Sequence, residues 1–399
     1  MDMKKEKLYD ITLCIYIICA IVTDMGAVAM KAARVLLVVV WGIKILSDKK
    51  IEHTPYLLRM IAFWLFATIT ILWAESKSYA TEMSKSLLYN VVCMFALTGL
   101  IDWRKERIDL VLKTLILSPL LLELRVISIG GVFAYMNTRM VETISANTVG
   151  MCAAVAACLS LYYWMQGEKY KYGLLFVINT LIVILSASRK ALIYEFLPIM
   201  IVFVFNVKAT FAQRMVRGFS VLIAGGVGLW LMMRIPLLYE LIGRRVAGLF
   251  TLLSGDVSGA DGDSRARWFL IENGLAWIRQ RPWLGYGIDN FRVLMHKHHP
   301  NWDIRYYAHN NYVELLVDTG IIGTALYYWN YVDMLAKGWR SRKTFENKEL
   351  LIFGIFIALI VGEVALVSYF EKDVQVMLLL IWIILTEVDK KRMEKESLK

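Results

Sequence analysis

Long apolar runs recur along this chain from one end to the other, joined by short polar connections. Each run approaches the ~20 residues that an α-helix needs to cross a bilayer. About twelve such runs can be counted on that criterion. They centre near Ile18, Val39, Phe66, Phe95, Leu117, Ala156, Ile182, Val202, Ala224, Val317, Phe356 and Leu380. The runs are continuous, not alternating, which excludes a β-barrel. A soluble chain would show amphipathic stripes instead. The pattern predicts an all-α, polytopic integral membrane protein, organised as one membrane domain over residues 1–399.

One connection breaks the rhythm. Over residues 235–309 the chain leaves the apolar pattern for roughly 75 residues, far longer than an ordinary loop. This stretch holds the glycine- and aspartate-rich SGDVSGADGDS, a helical RARWFLIENGLAWIRQ and then PWLGYG. It reads as one large insertion outside the membrane.

Charge orients the spans. The formal net charge is +11. Basic residues gather in alternate connections: Lys49 and Lys50; Arg104, Lys105 and Arg107; Lys169 and Lys171; Lys208, Arg214 and Arg217; Lys337, Arg340, Arg342 and Lys343. The tail adds Lys390, Lys391, Arg392 and Lys395. The positive-inside rule then sets both termini in the cytoplasm and the large loop outside. It also accounts for the basic charge without nucleic acid as a partner. Cys14, Cys19, Cys93, Cys152 and Cys158 all lie in apolar segments and read as small hydrophobes. The basic start and Ala27-Val28-Ala29 admit a cleaved signal peptide; an uncleaved first span is the preferred reading.

Against this background a few polar residues stand out. SASRKAL places Arg189 and Lys190 in a short external turn, against the positive-inside pattern. Arg189 opens a helix, where free amides and the dipole favour an anion; an arginine anchoring the helix at the interface is the equal alternative. In DGDSRARW, Arg265 and Arg267 are two apart and would not share a helix face. Solvated pairing with Asp261 and Asp263 is the competing reading. In YYAHNNYVELLVDTG, His309 stands at the mouth of an apolar helix that carries Glu314 and Asp318. An imidazole can take a proton near neutral pH, or it can simply pack or cap. Carboxylates inside a span are costly and face a polar interior; pairing with basic residues of other spans is the structural alternative, stronger for Asp318. His296, His298 and His299 form HxHH without an acidic or cysteine partner at ligand spacing. They read as a mobile basic loop. Gly285-Tyr-Gly287 lacks the Lys-Ser/Thr of a P-loop and reads as a tight turn after Pro282.

The order of these features carries more than any one of them. Arg189 comes in a short external turn and Arg267 (or Arg265) in the large loop. Pro282, Gly285, Gly287, Asn290 and Phe291 follow, then His309, Asn310, Glu314, Gly320 and Gly323. This series resembles the O-antigen ligase and O-antigen polymerase superfamily over about the second half of the chain. Asn147, in SANTVG, is similar to a family asparagine, which puts the catalytic core region at residues 145–335.

The resemblance implies a membrane-type, GT-C-like glycosyltransferase on the outer face of the cytoplasmic membrane. Its donor would be a glycan on a polyprenyl diphosphate and its acceptor a hydroxyl of a glycan or lipid. It would use no cofactor and no metal, and invert the anomeric carbon. His309 would be the base. Arg189 with Arg267 or Arg265 would hold the diphosphate, and Asn310 or Glu314 would orient His309 or the acceptor. Asn147, Lys190 and Tyr307 complete the expected substrate-binding set. Trp268, Trp283, Trp302, Tyr306 and Tyr307 would close over sugars or anchor the loop at the lipid interface. A transporter or flippase of the lipid-linked sugar or of a small anion is the principal rival. Against it, the polar residues crowd at one face, and midplane candidates are few, such as Glu195 and Glu363.

Overall fold

The computed structural model describes residues 2–24, 26–131, 140–142, 144–168, 170–186, 188–236, 239, 243, 247, 262–303 and 306–397. The glycine- and aspartate-rich part of the large loop, including Asp261, lies outside the described residues, as does the Asp263 side chain.

The described chain is helical apart from one short hairpin. The helices are α1 Asp2–Val22, α2 Val28–Asp48, α3 Pro55–Ile69, α4 Lys77–Ile101, α5 Lys105–Gly130, α6 Ala146–Met165, α7 Lys171–Leu185, α8 Arg189–Phe205 and α9 Phe211–Arg234. After the gap come α10 Gly262–Gln280, α11 Phe291–His298, α12 Asn311–Ser341, α13 Asn347–Gly362 and α14 Lys372–Ser397. The hairpin, β1 Met140–Val141 and β2 Ile144–Ser145, pairs antiparallel just before α6. Among the described residues, four helical stretches are long and apolar enough to cross a membrane: Pro55–Leu72, Lys77–Ile101, Ala146–Met165 and Phe211–Leu231. Lys171–Leu185 is a shorter apolar helix.

Local chemistry sets several helix starts. Thr54 accepts from the Leu57 amide, with Pro55 in the first turn, where a missing N–H is harmless. Thr210 and Gln213 form a reciprocal capping box for α9. Pro198 lies within α8 and packs on Gly354 of α13, where an added Cβ would stand 2.9 Å from the Pro198 Cα.

Two cores form. The larger unites the buried faces of α1–α8 and α12–α14, with Trp382, Tyr56, Tyr163 and Phe356 among its largest fully buried side chains. The smaller joins α10 and α11 to the first turns of α12, through Leu270, Trp277, Phe291, Leu294, Met295, Val313 and Val317. The described part of the large loop is therefore a packed helical layer seated on the start of α12. His296 and His298 sit in α11, and His299 bonds the Asn273 side chain at 2.9 Å. A mobile basic loop was the expectation there; the apolar face of α11, Phe291, Leu294 and Met295, draws the segment into this core instead.

Candidate functional site

The site grows from a break in α12. At Gly320 the backbone leaves helical geometry, with φ 62° and ψ −169°. The freed polar groups find partners in the strap that follows α10. Val317 O accepts from the Tyr286 amide at 2.9 Å, Asp318 O from the Gly287 amide at 2.8 Å, and Pro282 O from the Ile321 amide at 2.8 Å. The approach is too close for side chains. A Cβ on Gly320 would lie 2.3 Å from the Trp283 backbone, and one on Gly285, with φ +64°, would lie 2.5 Å from Asp318 O. Glycine is required at both positions on steric and conformational grounds.

Asp318 then fixes the turn beyond the strap. Its fully buried carboxylate accepts from three successive backbone amides: Asp289 at 2.7 Å, Asn290 at 3.0 Å and Phe291 at 2.7 Å. Asn290 reaches on to the Ser76 amide at 2.6 Å, tying the turn to the start of α4. One turn earlier on α12, Glu314 accepts from the Ala308 amide at 2.6 Å. Pairing with basic residues of other spans was the structural alternative for both carboxylates. Their bonds run to backbone N–H groups instead, which can hold a charged or a neutral carboxyl.

Glu314 thereby holds the Tyr307–Ala308 peptide, one residue before His309. His309 has φ +53°, a left-handed conformation uncommon for a non-glycine residue. Asn310 is the N-cap of α12, its side chain accepting from the Val313 amide at 3.1 Å. His309 is thus set by a cap on one side and a buried carboxyl on the other. Its ring centroid stands 4.1 Å from that of Tyr307. Burial, then Arg267, then Lys190 disfavour the cationic ring and push its pKa down to about 3. The Tyr307 hydroxyl is raised, by burial first and then by Glu314 and Glu371, while Arg267 and Arg292 oppose the shift. Residues from α8, α10, α11, α12 and the segment before α14 therefore share one electrostatic neighbourhood.

The expected residues sort as follows. His309, Arg267, Lys190, Tyr307 and Glu314 come together. Arg189 is half-buried beside Lys190. Asn147, in the first turn of α6, accepts the Ser188 hydroxyl at 2.8 Å, next to Arg189 in the chain. Arg265 is exposed, whereas Arg267, two residues on, is half-buried. Trp302 stacks on Phe269 at 5.3 Å within the loop layer, while Trp268 and Trp283 remain exposed. Glu195 takes the Thr180 hydroxyl and Glu363 those of Tyr328, Tyr331 and Ser368, so each is served by hydroxyls.

Three participants escaped the sequence reading. Arg292 pairs with Asp289 at 2.8 Å, and burial, opposed by Arg292, raises the Asp289 carboxyl to about 6. Glu371 is raised to about 7 by burial and then by Asp373. The i,i+3 spacing of Asp289 and Arg292 was a visible signal, but such pairs are common on solvated surfaces. Glu371 had none, since its loop meets α12 only in three dimensions.

Chemically, the arrangement offers an unprotonated imidazole at a helix mouth, close to Arg267 and to Lys190, whose own pKa is brought down to about 7 by burial, then Arg267 and Arg189. Residues 174–328 match the family model described as O-antigen ligase. No curated protein matches the chain. The matched stretch holds Arg189, Arg267, the glycine strap and the run from His309 to Gly320. The match and the motifs together support the O-antigen ligase and polymerase superfamily for this chain, and with it a glycosyltransferase-type, O-antigen ligase- or polymerase-like function in a membrane.

Proposed function

We infer that the protein transfers a glycan from a polyprenyl diphosphate to an acceptor hydroxyl, at the outer face of the cytoplasmic membrane. The observation that carries this reading is His309, held in a left-handed conformation beside Arg267 and Lys190 within the family-matched stretch. In this reading the chain crosses the bilayer about twelve times, with both termini cytoplasmic. A helix covers each of the twelve apolar centres read from the sequence. Residues 235–309 form the external loop and 145–335 the catalytic core.

The reaction is a single displacement. The acceptor oxygen attacks the anomeric carbon, and the bond from that carbon to the diphosphate oxygen breaks. The configuration inverts. His309 takes the acceptor proton, and the lipid diphosphate leaves with the electron pair. Arg267, Arg189 and Lys190 stabilise the growing negative charge, with guanidinium forks suited to phosphate oxygens. No metal is assigned a role.

The low basicity of His309 fits this sequence of events. Without donor, burial first, and then Arg267 and Lys190, keep the ring neutral and a weak base. A bound diphosphate offsets those cations and raises the basicity of the ring when an acceptor proton has to be removed. Asn310 and Glu314 act through position, by capping α12 and fixing the Ala308 amide.

Purified protein in detergent, given a polyprenyl-diphosphate oligosaccharide, tests the reading. Longer glycans from donor alone, lost in His309→Asn and Arg267→Ala and retained with chelator, indicate a polymerase with this site. Transfer only on adding a separate acceptor indicates a ligase. Movement of the lipid-linked sugar across liposomes with no transfer would replace the enzyme by a transporter or flippase.

A further inference from the structure

A cavity of about 250 Å³ shares two neighbouring segments with this site. The end of α1, the first turn of α6 and the start of α14 bound it, and its polar lining is Thr23, Asp24, Thr148, Glu371, Lys372 and Asp373. Two tethers join it to the candidate site. On one side Thr148 follows Asn147, which holds the Ser188 hydroxyl next to Arg189. On the other, Asn311, two residues after His309, accepts from the amides of Ser368 at 3.0 Å and Tyr369 at 3.2 Å. Glu371 follows two residues after Tyr369 in that segment.

Lys372 is the unusual member. It is only 6% exposed, it lines the cavity, and among the described residues it has no hydrogen bond or ion pair within bonding distance. Its ammonium is open to the cavity space and meets no protein partner there among the described residues. Glu371 attracts it at longer range, while Asp373 lies 3.8 Å from the Cys152 sulfur. The three donors of Lys372 are left for a guest.

The lining also says which guest. Three carboxyl groups against one ammonium disfavour an anion. Hydroxyl groups suit both kinds of wall, since they donate to carboxylates and accept from the ammonium. An amino group would gain further from the acidic excess. The volume is below the ~300 Å³ at which ligand pockets usually begin, which suits one sugar ring and not an oligosaccharide.

We propose that this cavity is the acceptor subsite, holding one terminal neutral or amino sugar ring while Arg189, Lys190 and Arg267 take the donor diphosphate. The proposal rests on the glycosyltransferase reading above and adds the acceptor's place and chemical class. It separates the site into a cationic donor side and an acid-rich acceptor side.

Two measurements on the full chain in nanodiscs test it, each with Thr148→Val and Lys372→Met. The first is saturation-transfer NMR with the methyl glycosides of glucose, glucosamine and glucuronic acid. The first two should bind wild type saturably and weaken at least about tenfold in both variants. Preference for the glucuronide, equal binding in the variants, or no saturable binding would overturn the proposal. The second is transfer from the polyprenyl-diphosphate donor to an octyl glycoside of the repeat. Acceptor KM should rise at least about tenfold with donor KM held within about twofold. Unchanged acceptor KM in active variants overturns the subsite and leaves the transferase. Absence of transfer by wild type, with glycoside binding still dependent on Thr148 and Lys372, overturns the transferase and leaves a sugar site. Thr148→Val keeps the side-chain shape, so it decides the matter if the lysine variant fails to fold.

Discussion

Upstream of Gly320, α12 carries Glu314 and Asp318; downstream it carries Asp333. The two upstream carboxyls are buried and bonded to the amides of other segments, at Ala308 and at Asp289, Asn290 and Phe291. Asp333 instead pairs with Arg59 at 2.9 Å and Lys337 at 2.6 Å, and accepts from the Trp382 indole at 2.8 Å. One helix thus uses the same chemistry in two ways. Below the break a carboxylate staples α12 to α3 and α14. Above it, carboxyls dictate the path of the loops that carry Asp289, Arg292 and His309. A staple can be replaced by other packing; a backbone template cannot, because the atoms it holds are those that aim the site.

The contrast can be broken from the site outward. His309→Asn should cost most, lowering transfer by about 10²- to 10⁴-fold, the range for a lost general base. Asparagine tolerates the left-handed backbone, so thermal stability should hardly move, and a large loss of stability would make His309 structural. Next comes the arginine pair. Arg267→Ala should lower kcat by roughly 10²-fold or more, as for other lost transition-state charges. Arg265→Ala, at an exposed position, should stay near wild type. Equal losses in both would remove the distinction between them.

The templating carboxyl comes third. Asp318→Ala leaves three buried amides without their acceptor and should destabilise by about 3 kcal/mol or more. Activity should fall with it as the strap loosens. Asp333→Asn, which weakens a partly exposed staple, should cost about 1 kcal/mol and leave KM and kcat close to wild type. Denaturation in detergent beside transfer kinetics would separate the two, and the same activity loss in both would erase the difference between the halves of α12.

The last effect is electrostatic. The folded pKa of His309, about 3, lies below its ordinary 6.5. The folded state therefore resists protonating this ring, and its contribution makes the protein less stable as pH falls from about 6.5 towards 3. Above 6.5 the ring is neutral in both states and contributes no pH dependence. Arg267→Met should raise the ring pKa, and histidine-selective NMR titration would read it directly. An unchanged pKa would mean that burial and Lys190 set it without Arg267.

Much of this was legible in one dimension, and some was not. Apolar runs announce helices because a span must bury its backbone bonds within itself and its side chains in lipid. A helix therefore covers each of the twelve apolar centres. The glycines of the strap and of α12 were visible as a motif because steric demands leave no substitute. The HxHH segment, read as a loop, ends a helix instead, since its apolar partners lie in α10 and α12, far away in the chain.

What only the tertiary structure decided is which polar side chains meet. For Arg265 and Arg267, spacing to Pro282 already favours the latter, and the fold leaves Arg265 exposed and Arg267 half-buried. Asp318 looked like half of an ion pair and proved to be a cradle for three amides. Arg292 carried only an ambiguous i,i+3 spacing to Asp289, and Glu371 and Lys372 no mark, because a charge acquires its role from what is buried around it. Hydrophobicity is a property of each residue and accumulates along the chain, so the sequence could announce the helices. Proximity is a property of pairs, and the break at Gly320 and the tether at Asn311 create the pairs that matter here.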